Sequence, residues 1–169
     1  MKHADAFVLL TKLDAPAHLV RHAQLVLEAA NVLIAKLPID DFVDIERVRI
    51  GAVIHDAGKA LFQNELHEPG AKHESAGREA LLELGVSDRY AIICETHADW
   101  RSATSLDELM ITLADKLWKG NRVHALEEMF IEKLSSAHDC NPWDLFSLVD
   151  GVFEEVANGA DERLRRSFV

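Results

Sequence analysis

The adjacent residues His55 and Asp56 combine the side-chain types and the position that most favour chemistry in this sequence. They lie near the C-terminal end of a predicted buried helix, residues 45–57, just before Gly58. An ionised carboxylate at such a place is costly unless it is paired or bound to a metal ion. Because neighbouring residues on a helix point about 100° apart, both side chains reach one ion only at the helix end. The pair predicts a metal site there, with a buried hydrogen-bonded pair as the alternative.

Two further residues of these types lie in other predicted helices. His22 belongs to a long helix, and Asp115 is surrounded by leucine and alanine side chains. The order His22, His55-Asp56, Asp115 resembles that of the HD superfamily of metal-dependent phosphohydrolases. This resemblance covers about residues 15–120 and implies an all-α, HD-domain helical bundle.

Two short segments carry the resemblance in detail. His22-Ala-Gln-Leu-Val26 is similar to the first motif of the family. Gly51-Ala-Val-Ile-His-Asp-Ala-Gly-Lys59 is similar to its central motif, with Ala57 where isoleucine is frequent. His18 lies four residues before His22 on the same predicted helix face and is either the alternative first ligand or a partner that orients a ligand. The match to the first motif favours His22.

Two more histidines, His73 and His97, extend the resemblance to HD subgroups that bind two metal ions. In those subgroups the first ion is held by the equivalents of four residues: His22, His55, Asp56 and Asp115. The second ion is held by the equivalents of His73 and His97, with the Asp56 carboxylate bridging both. The alternative is that His73 and His97 are surface or helix-end residues. Imidazole and carboxylate ligands suit iron, manganese, zinc, cobalt or nickel better than calcium; the analogy favours iron or manganese, with magnesium also open.

The expected activity is hydrolysis of a phosphomonoester or phosphoanhydride by metal-activated water, with Asp56 and Lys59 as catalytic residues. The substrate is expected to be a nucleotide or another small phosphorylated metabolite. Lys59, one turn beyond His55, and Arg101 are predicted to contact phosphate, whereas Trp100 is a candidate to stack on a base. Lys59 as a cap of its own helix is the alternative.

Three other functions remain open at this point. One is a more specific form of the same reaction, cleavage of a dinucleoside polyphosphate. The second is a di-iron oxygenase, since some members of the wider HD group activate oxygen at a similar centre. The third is a non-catalytic module that binds a nucleotide, although a full set of six ligands argues against it.

Composition limits the binding partners and the cellular location that we expect for this protein. The 169 residues carry 18 basic and 29 acidic side chains, for a net charge of -11, which opposes binding to nucleic acid through a broad basic surface. An anionic substrate therefore needs local positive charge from metal ions or a few cations. Two cysteines without a paired spacing, and no membrane-spanning or signal segment, lead us to expect a cytoplasmic protein.

Apolar residues recur at helical spacing along most of the chain, and strand patterns are missing. We predict about seven helices, over residues 15–36, 45–57, 73–84, 87–99, 105–119, 123–136 and 143–157. Asp14 is the predicted N-cap of the first of these, and residues 59–72 are predicted to form an irregular loop. Among the histidines without a partner pattern, only His67 lies near the expected site, in this loop.

We expect a single domain over residues 1–169. The motifs lie in a core of about residues 15–120, and helices in residues 121–169 should pack on it. The same C-terminal helices are the candidate surface of a homodimer.

Overall fold

The computed structural model describes residues 1–39, 41–66, 68–103 and 105–168 of the chain, and every regular element in those ranges is helical. The α-helices are α1 (His3–Lys12), α2 (Ala17–Lys36), α3 (Ile45–Ile54), α4 (Lys72–Glu83), α5 (Asp88–Ala91), α6 (Ile93–Thr96), α7 (Leu106–Leu117), α8 (His124–Ala137), α9 (Pro142–Asn158) and α10 (Ala160–Ser167). Short 3-10 helices span Ala57–Ala60, Gln63–Leu66 and Trp100–Ser102. The all-α prediction is confirmed.

Among the described residues there are more helices than the predicted seven, because the prediction did not count a separate helix at either end and because one predicted helix is divided. The predicted helix over residues 87–99 is two single turns, α5 and α6, and α1 and α10 add one helix at each end. Helix α1 buries Ala6, Leu9 and Leu10, which lie on one helical face and pack in a cluster with side chains of α3.

The prediction that Asp14 caps α2 is wrong, because Asp14 ends α1 instead. Its backbone lies in the left-handed region, with φ of 53°, and its amide bonds to the carbonyl of Thr11 at 3.1 Å. The amide of Ala15 bonds to the carbonyl of Leu10 at 3.0 Å. This pair of bonds is the Schellman termination of a helix. Helix α2 then begins after Pro16.

Helices α2, α3 and α7 form the centre of the bundle. Gly51 on α3 allows a close approach to α7, since a Cβ at this position would lie 2.9 Å from Cγ1 of Ile111. The main apolar cluster joins these helices to α8 and α9, where the rings of Phe130 and Phe153 lie 5.8 Å apart. The C-terminal helices therefore share the core that supports α2 and α7.

A buried ionic network fixes α3 against the start of α7. The Arg47 guanidinium donates hydrogen bonds to the carboxylates of Asp107, at 3.1 Å, and Glu108, at 3.0 Å. It also donates to the hydroxyl of Ser105, which is the N-cap of α7, at 3.1 Å. Removing one partner of such a buried network leaves an uncompensated charge, so its geometry is strongly constrained. The network sets the relative position of two helices that carry site residues.

Helix α4 is held against the segment that follows α3 by backbone-to-backbone contact. A Cβ on Gly58 would lie 2.7 Å from the amide nitrogen of Gly77 and closer still to the carbonyl oxygen of His73. Two glycines thus let the 3-10 helix Ala57–Ala60 lie directly on α4. No helix among the described residues is long and apolar enough to cross a lipid bilayer.

Candidate metal centre

Six histidine and aspartate side chains from five elements of the bundle converge on one side of the core. His22 lies in the second turn of α2, and His55 is the C-cap of α3, directly followed by Asp56. The remaining three come from other helix ends: His73 from the first turn of α4, His97 from the C-cap of α6, and Asp115 from the last turns of α7. Helix α3 ends at Ile54, three residues earlier than predicted. His55 and Asp56 therefore both lie just beyond its last turn.

The first group consists of His22, His55 and Asp115. The Nε2 atoms of the two histidines lie 3.1 Å apart, and each lies 3.6 Å from Oδ1 of Asp115. One potential ligand atom from each residue falls within 4.8 Å of the others. This is the spacing of three groups that could surround one cation.

The second group consists of Asp56, His73 and His97. Oδ1 of Asp56 lies 3.5 Å from Nε2 of His73 and 3.4 Å from Nε2 of His97. The other oxygen, Oδ2, lies 3.3 Å from Nε2 of His22 and 3.6 Å from Nε2 of His55. The Asp56 carboxylate therefore presents one oxygen to each group.

Backbone carbonyls fix the orientation of two of the imidazole rings. Nδ1 of His55 lies 3.1 Å from the carbonyl oxygen of Ala52, and Nδ1 of His97 lies 3.1 Å from that of Ile93. A carbonyl oxygen only accepts, so each Nδ1 carries the hydrogen and donates it. The lone pair is left on Nε2, which faces the carboxylates. This arrangement is typical of metal-binding histidines.

The pKa shifts of the two site carboxyl groups also suit a metal ion. Burial alone would raise the pKa of the Asp56 carboxyl, but His55, His22, His73 and His97 hold that pKa well below its usual range. Burial opposes ionisation of Asp115 as well, yet His55, Lys116 and Lys119 hold its pKa well below the ordinary value. Burial lowers the pKa of His55, whereas at His73 the effect of burial is outweighed by the carboxylates of Asp56 and Glu65, which raise the pKa. A metal ion binds the ionised form of a carboxyl group, so Asp56 and Asp115 are in the form that a ligand needs.

Asp56 supplies the clearest sign that a cation fits here. Its Oδ1 atom is buried and accepts no hydrogen bond from the residues that the structure describes. A buried anionic oxygen without a donor is costly, and a positive ion between Oδ1 and the histidines would remove that cost. Together the two groups suggest a binuclear metal site.

The two groups open into a cavity of about 280 Å³ whose rim carries three lysines. Lys59 Nζ lies 2.7 Å from Oδ2 of Asp56, and Lys116 Nζ lies 2.7 Å from Oδ2 of Asp115. Lys119 is exposed at the same rim. Lys116 and Lys119 were not among the predicted site residues. A sequence signal for Lys119 exists, since it follows Asp115 by four residues, as Lys59 follows His55.

Trp100 and Arg101 lie outside the lining of this cavity. The Trp100 ring is buried, and the Arg101 guanidinium lies over it at 4.3 Å from the ring centroid. Arg101 faces a separate hollow next to α8. The position of neither residue supports the predicted contact with substrate, because the 3-10 helix Trp100–Ser102 turns the chain away from the cavity after His97.

Of the two histidines on α2, His22 belongs to a group of potential ligands among the described residues, and His18 does not. His67 lies outside the described residues. A further side chain that the sequence did not single out, Glu65, contacts the ring of His73 at 2.7 Å. It lies in a segment without periodicity, where no sequence pattern pointed to it.

Comparisons with known proteins identify the family. The profile of the HD domain matches residues 17–119, which is more than half of the chain. An uncharacterized protein of Methanocaldococcus jannaschii is 38% identical over 55 residues, covering 32% of this chain and 29% of that protein. A tRNA (cytidine(56)-2'-O)-methyltransferase of Thermoplasma volcanium is 28% identical over 137 residues, covering 72% of this chain and 38% of the relative.

The chain therefore spans about a third of the length of these two relatives. No solved structure matches it significantly. The match to the family profile includes all four signature positions, from His22 through His55 and Asp56 to Asp115. The helical bundle agrees with the predicted fold. The chain belongs to the HD domain family.

Proposed function

We propose that the chain is a metal-dependent phosphohydrolase that acts on a small phosphorylated metabolite, with a nucleotide as the favoured substrate. The observation that carries this proposal is the position of Asp56, which presents one carboxylate oxygen to each of two ligand groups. Family membership and the two groups support a hydrolase.

In this proposal, His22, His55 and Asp115 hold one divalent ion, and His73 and His97 hold the second. Asp56 is the ligand common to both. Two such ions supply Lewis acidity for a phosphoryl oxygen and lower the pKa of a water that attacks phosphorus. Four imidazoles and two carboxylates form a nitrogen-rich set, which favours a transition metal over magnesium. We favour iron or manganese, with zinc, cobalt and nickel as alternatives.

The lysine rim provides the second part of the proposal. Lys59, Lys116 and Lys119 place three ammonium groups around one opening in a protein whose net charge is -11. Such a local concentration of positive charge attracts phosphate oxygens despite the acidic surface. Lys59 and Lys116 also contact site carboxylates, whereas Lys119 is the most exposed of the three. We assign Lys119 to the first contact with the substrate phosphates.

Replacing Lys119 by alanine should weaken substrate binding with little effect on the chemical step. A hydrogen bond to a charged group contributes about 1.5–3 kcal/mol, and an exposed one lies near the lower limit. We therefore expect KM to rise roughly tenfold while kcat changes by less than about threefold. Steady-state phosphate release at constant ionic strength measures both constants.

Lys12→Ala is the matched control, because Lys12 is an exposed lysine in the last turn of α1, away from the cavity. This variant loses the same charge and should keep the wild-type KM. Equal KM values for the Lys119 variant and the wild type would remove Lys119 from the binding role.

The experiment that tests the function itself is metal analysis followed by a substrate screen. The purified chain is loaded anaerobically with Fe²⁺ or Mn²⁺ and assayed for phosphate release from nucleotides, dinucleoside polyphosphates and sugar phosphates. We expect oxygen-independent, metal-dependent release of phosphate or nucleotide from at least one class. Oxygen consumption coupled to a spectral change of an iron-loaded sample would replace the proposal by an oxygenase. Metal-free protein that binds nucleotide without turnover would replace it by a binding module.

The methyltransferase activity in the name of the Thermoplasma volcanium relative does not enter this proposal. The relative extends well beyond the matched region, because this chain covers only 38% of its length. The acidic charge of the present chain also opposes the phosphate backbone of a tRNA.

A further inference from the structure

Glu65 is a buried carboxylate that points at the start of α4. Its Oε2 atom lies 2.7 Å from Nδ1 of His73 and accepts the backbone amide of the same residue at 3.1 Å. The other oxygen, Oε1, accepts the amide of Lys72 at 3.3 Å. The side chain of Glu65 is only 5% exposed. One carboxylate therefore holds both the backbone and the ring of His73.

The chain around Glu65 is shaped to admit this side chain. A Cβ on Gly70 would lie 2.7 Å from Cγ of Glu65 and closer to its carboxyl group. Any other residue at position 70 would displace the carboxylate from the start of α4. The glycine and the carboxylate act together, although they lie in an irregular stretch of sequence.

The position of His73 in its helix explains why a carboxylate is needed. His55 and His97 lie at helix ends, and their Nδ1 atoms use carbonyls three or four residues earlier, Ala52 and Ile93. His73 is the second residue of α4, so no preceding helical turn can offer a carbonyl to its ring. Glu65 takes the place of that carbonyl and supplies a charged acceptor, which binds more strongly than a neutral one.

We propose that Glu65 is the positioning residue of the second metal ion, acting through His73. By accepting the Nδ1 hydrogen, it leaves the Nε2 lone pair available to the proposed ion, on the side of the ring where Oδ1 of Asp56 lies 3.5 Å from Nε2. Partners of this kind in metal sites change metal affinity by about 10–100-fold when they are removed. The first group, His22, His55 and Asp115, has no contact with Glu65 among the interactions described and keeps its affinity. This inference rests on the proposed two-ion centre but not on the identity of the substrate.

The test is metal binding by Glu65→Ala and Glu65→Gln, with Mn²⁺ and Co²⁺ alone as probes. Isothermal titration and elemental analysis give the number and the affinity of the sites, and Co²⁺ absorption reports their ligand field. We expect Glu65→Ala to weaken one of two sites by about 10–100-fold and to leave the other within threefold of wild type. Glutamine can keep its oxygen toward the ring and the amide of His73, while its NH2 group would face the amide of Lys72, so Glu65→Gln should give a smaller loss at the same site.

Glu79→Gln is the matched control, since Glu79 is an exposed glutamate on the same helix. It removes the same charge from α4 and should leave both affinities unchanged. Circular dichroism checks the fold of each variant, and Glu65→Gln decides the question if the alanine variant does not fold. Two results would overturn the inference. The first is wild-type affinity at both sites in Glu65→Gln and in any Glu65→Ala that folds, and the second is an equal loss of affinity at both sites.

Failure of the proposed function looks different. A wild-type chain that binds two ions but hydrolyses nothing would remove the phosphohydrolase and leave the role of Glu65 intact. A wild-type chain that binds a single ion, with an affinity that Glu65→Gln does not change, would remove the role of Glu65 and leave hydrolysis at the first ion open.

Discussion

Asp56→Asn should abolish phosphate release and reduce the metal content below two ions per chain. The carboxylate belongs to the second group and also approaches the first, with one oxygen facing His22 and the other facing His73 and His97. Asparagine keeps the shape but removes the charge, and its amide nitrogen cannot bind metal as a carboxylate oxygen does. Losing metal-ion catalysis costs several kcal/mol of transition-state stabilisation, which corresponds to a rate reduced by about a thousandfold or more.

The measurements are phosphate release under saturating Mn²⁺ and elemental analysis of the same samples. Glu127→Gln is the matched control, because Glu127 on α8 is also a buried carboxylate but pairs with Arg122, and α8 contributes no residue to the cavity lining. That control should lose stability while it keeps both ions and the wild-type turnover below its unfolding temperature. Wild-type turnover by the metal-loaded Asp56 variant would contradict the proposed mechanism.

The candidate metal ligands could be predicted because they lie in short motifs on or next to helices with strong apolar periodicity. His22 and Asp115 lie far apart in the sequence. The order of the motifs along the chain was nevertheless enough to associate them with His55 and Asp56. The structure brings the same residues together from three helices. Their roles as ligands remain a prediction, whereas their convergence is a property of the fold.

The sequence did not reveal how these side chains are supported. Glu65 and Gly70 lie in a stretch whose conformation depends on contact with α4, and no periodicity describes such a contact. Asp14 was assigned to the wrong helix because aspartate suits both an N-cap and a left-handed turn. Arg101 follows His97 closely in sequence, but the 3-10 helix at Trp100 directs it toward another hollow.

Gly58 illustrates how the central motif combines chemistry with packing. It lies two residues after Asp56, where the chain passes over α4. The first turn of α4 carries His73, so the distance between the two backbones also sets the distance between Asp56 and His73. A side chain at position 58 would change the distance between Asp56 and His73 without touching an atom that is proposed to bind metal.

Gly58→Ala should therefore destabilise the fold and weaken the second ion site. The added Cβ would lie 2.7 Å from the amide nitrogen of Gly77 and nearer still to the carbonyl oxygen of His73. Both atoms belong to the backbone of α4, so a rotamer change cannot relieve the overlap and the helix itself must move. Overpacking typically costs about 1–3 kcal/mol, and we expect the upper part of that range. Urea denaturation of the metal-free protein measures the free energy of unfolding.

Gly151→Ala provides the comparison, because Gly151 lies in the exposed middle of α9 and a Cβ there meets no atom within 4 Å. That substitution should increase the free energy of unfolding by about 0.5–1 kcal/mol, since alanine favours a helix more than glycine does. Metal titration of the Gly58 variant should then show one site at wild-type affinity and one weakened, as for Glu65. A Gly58 variant with wild-type stability and two intact sites would mean that α4 can shift away without moving His73, and that the glycine is not what sets the Asp56–His73 distance.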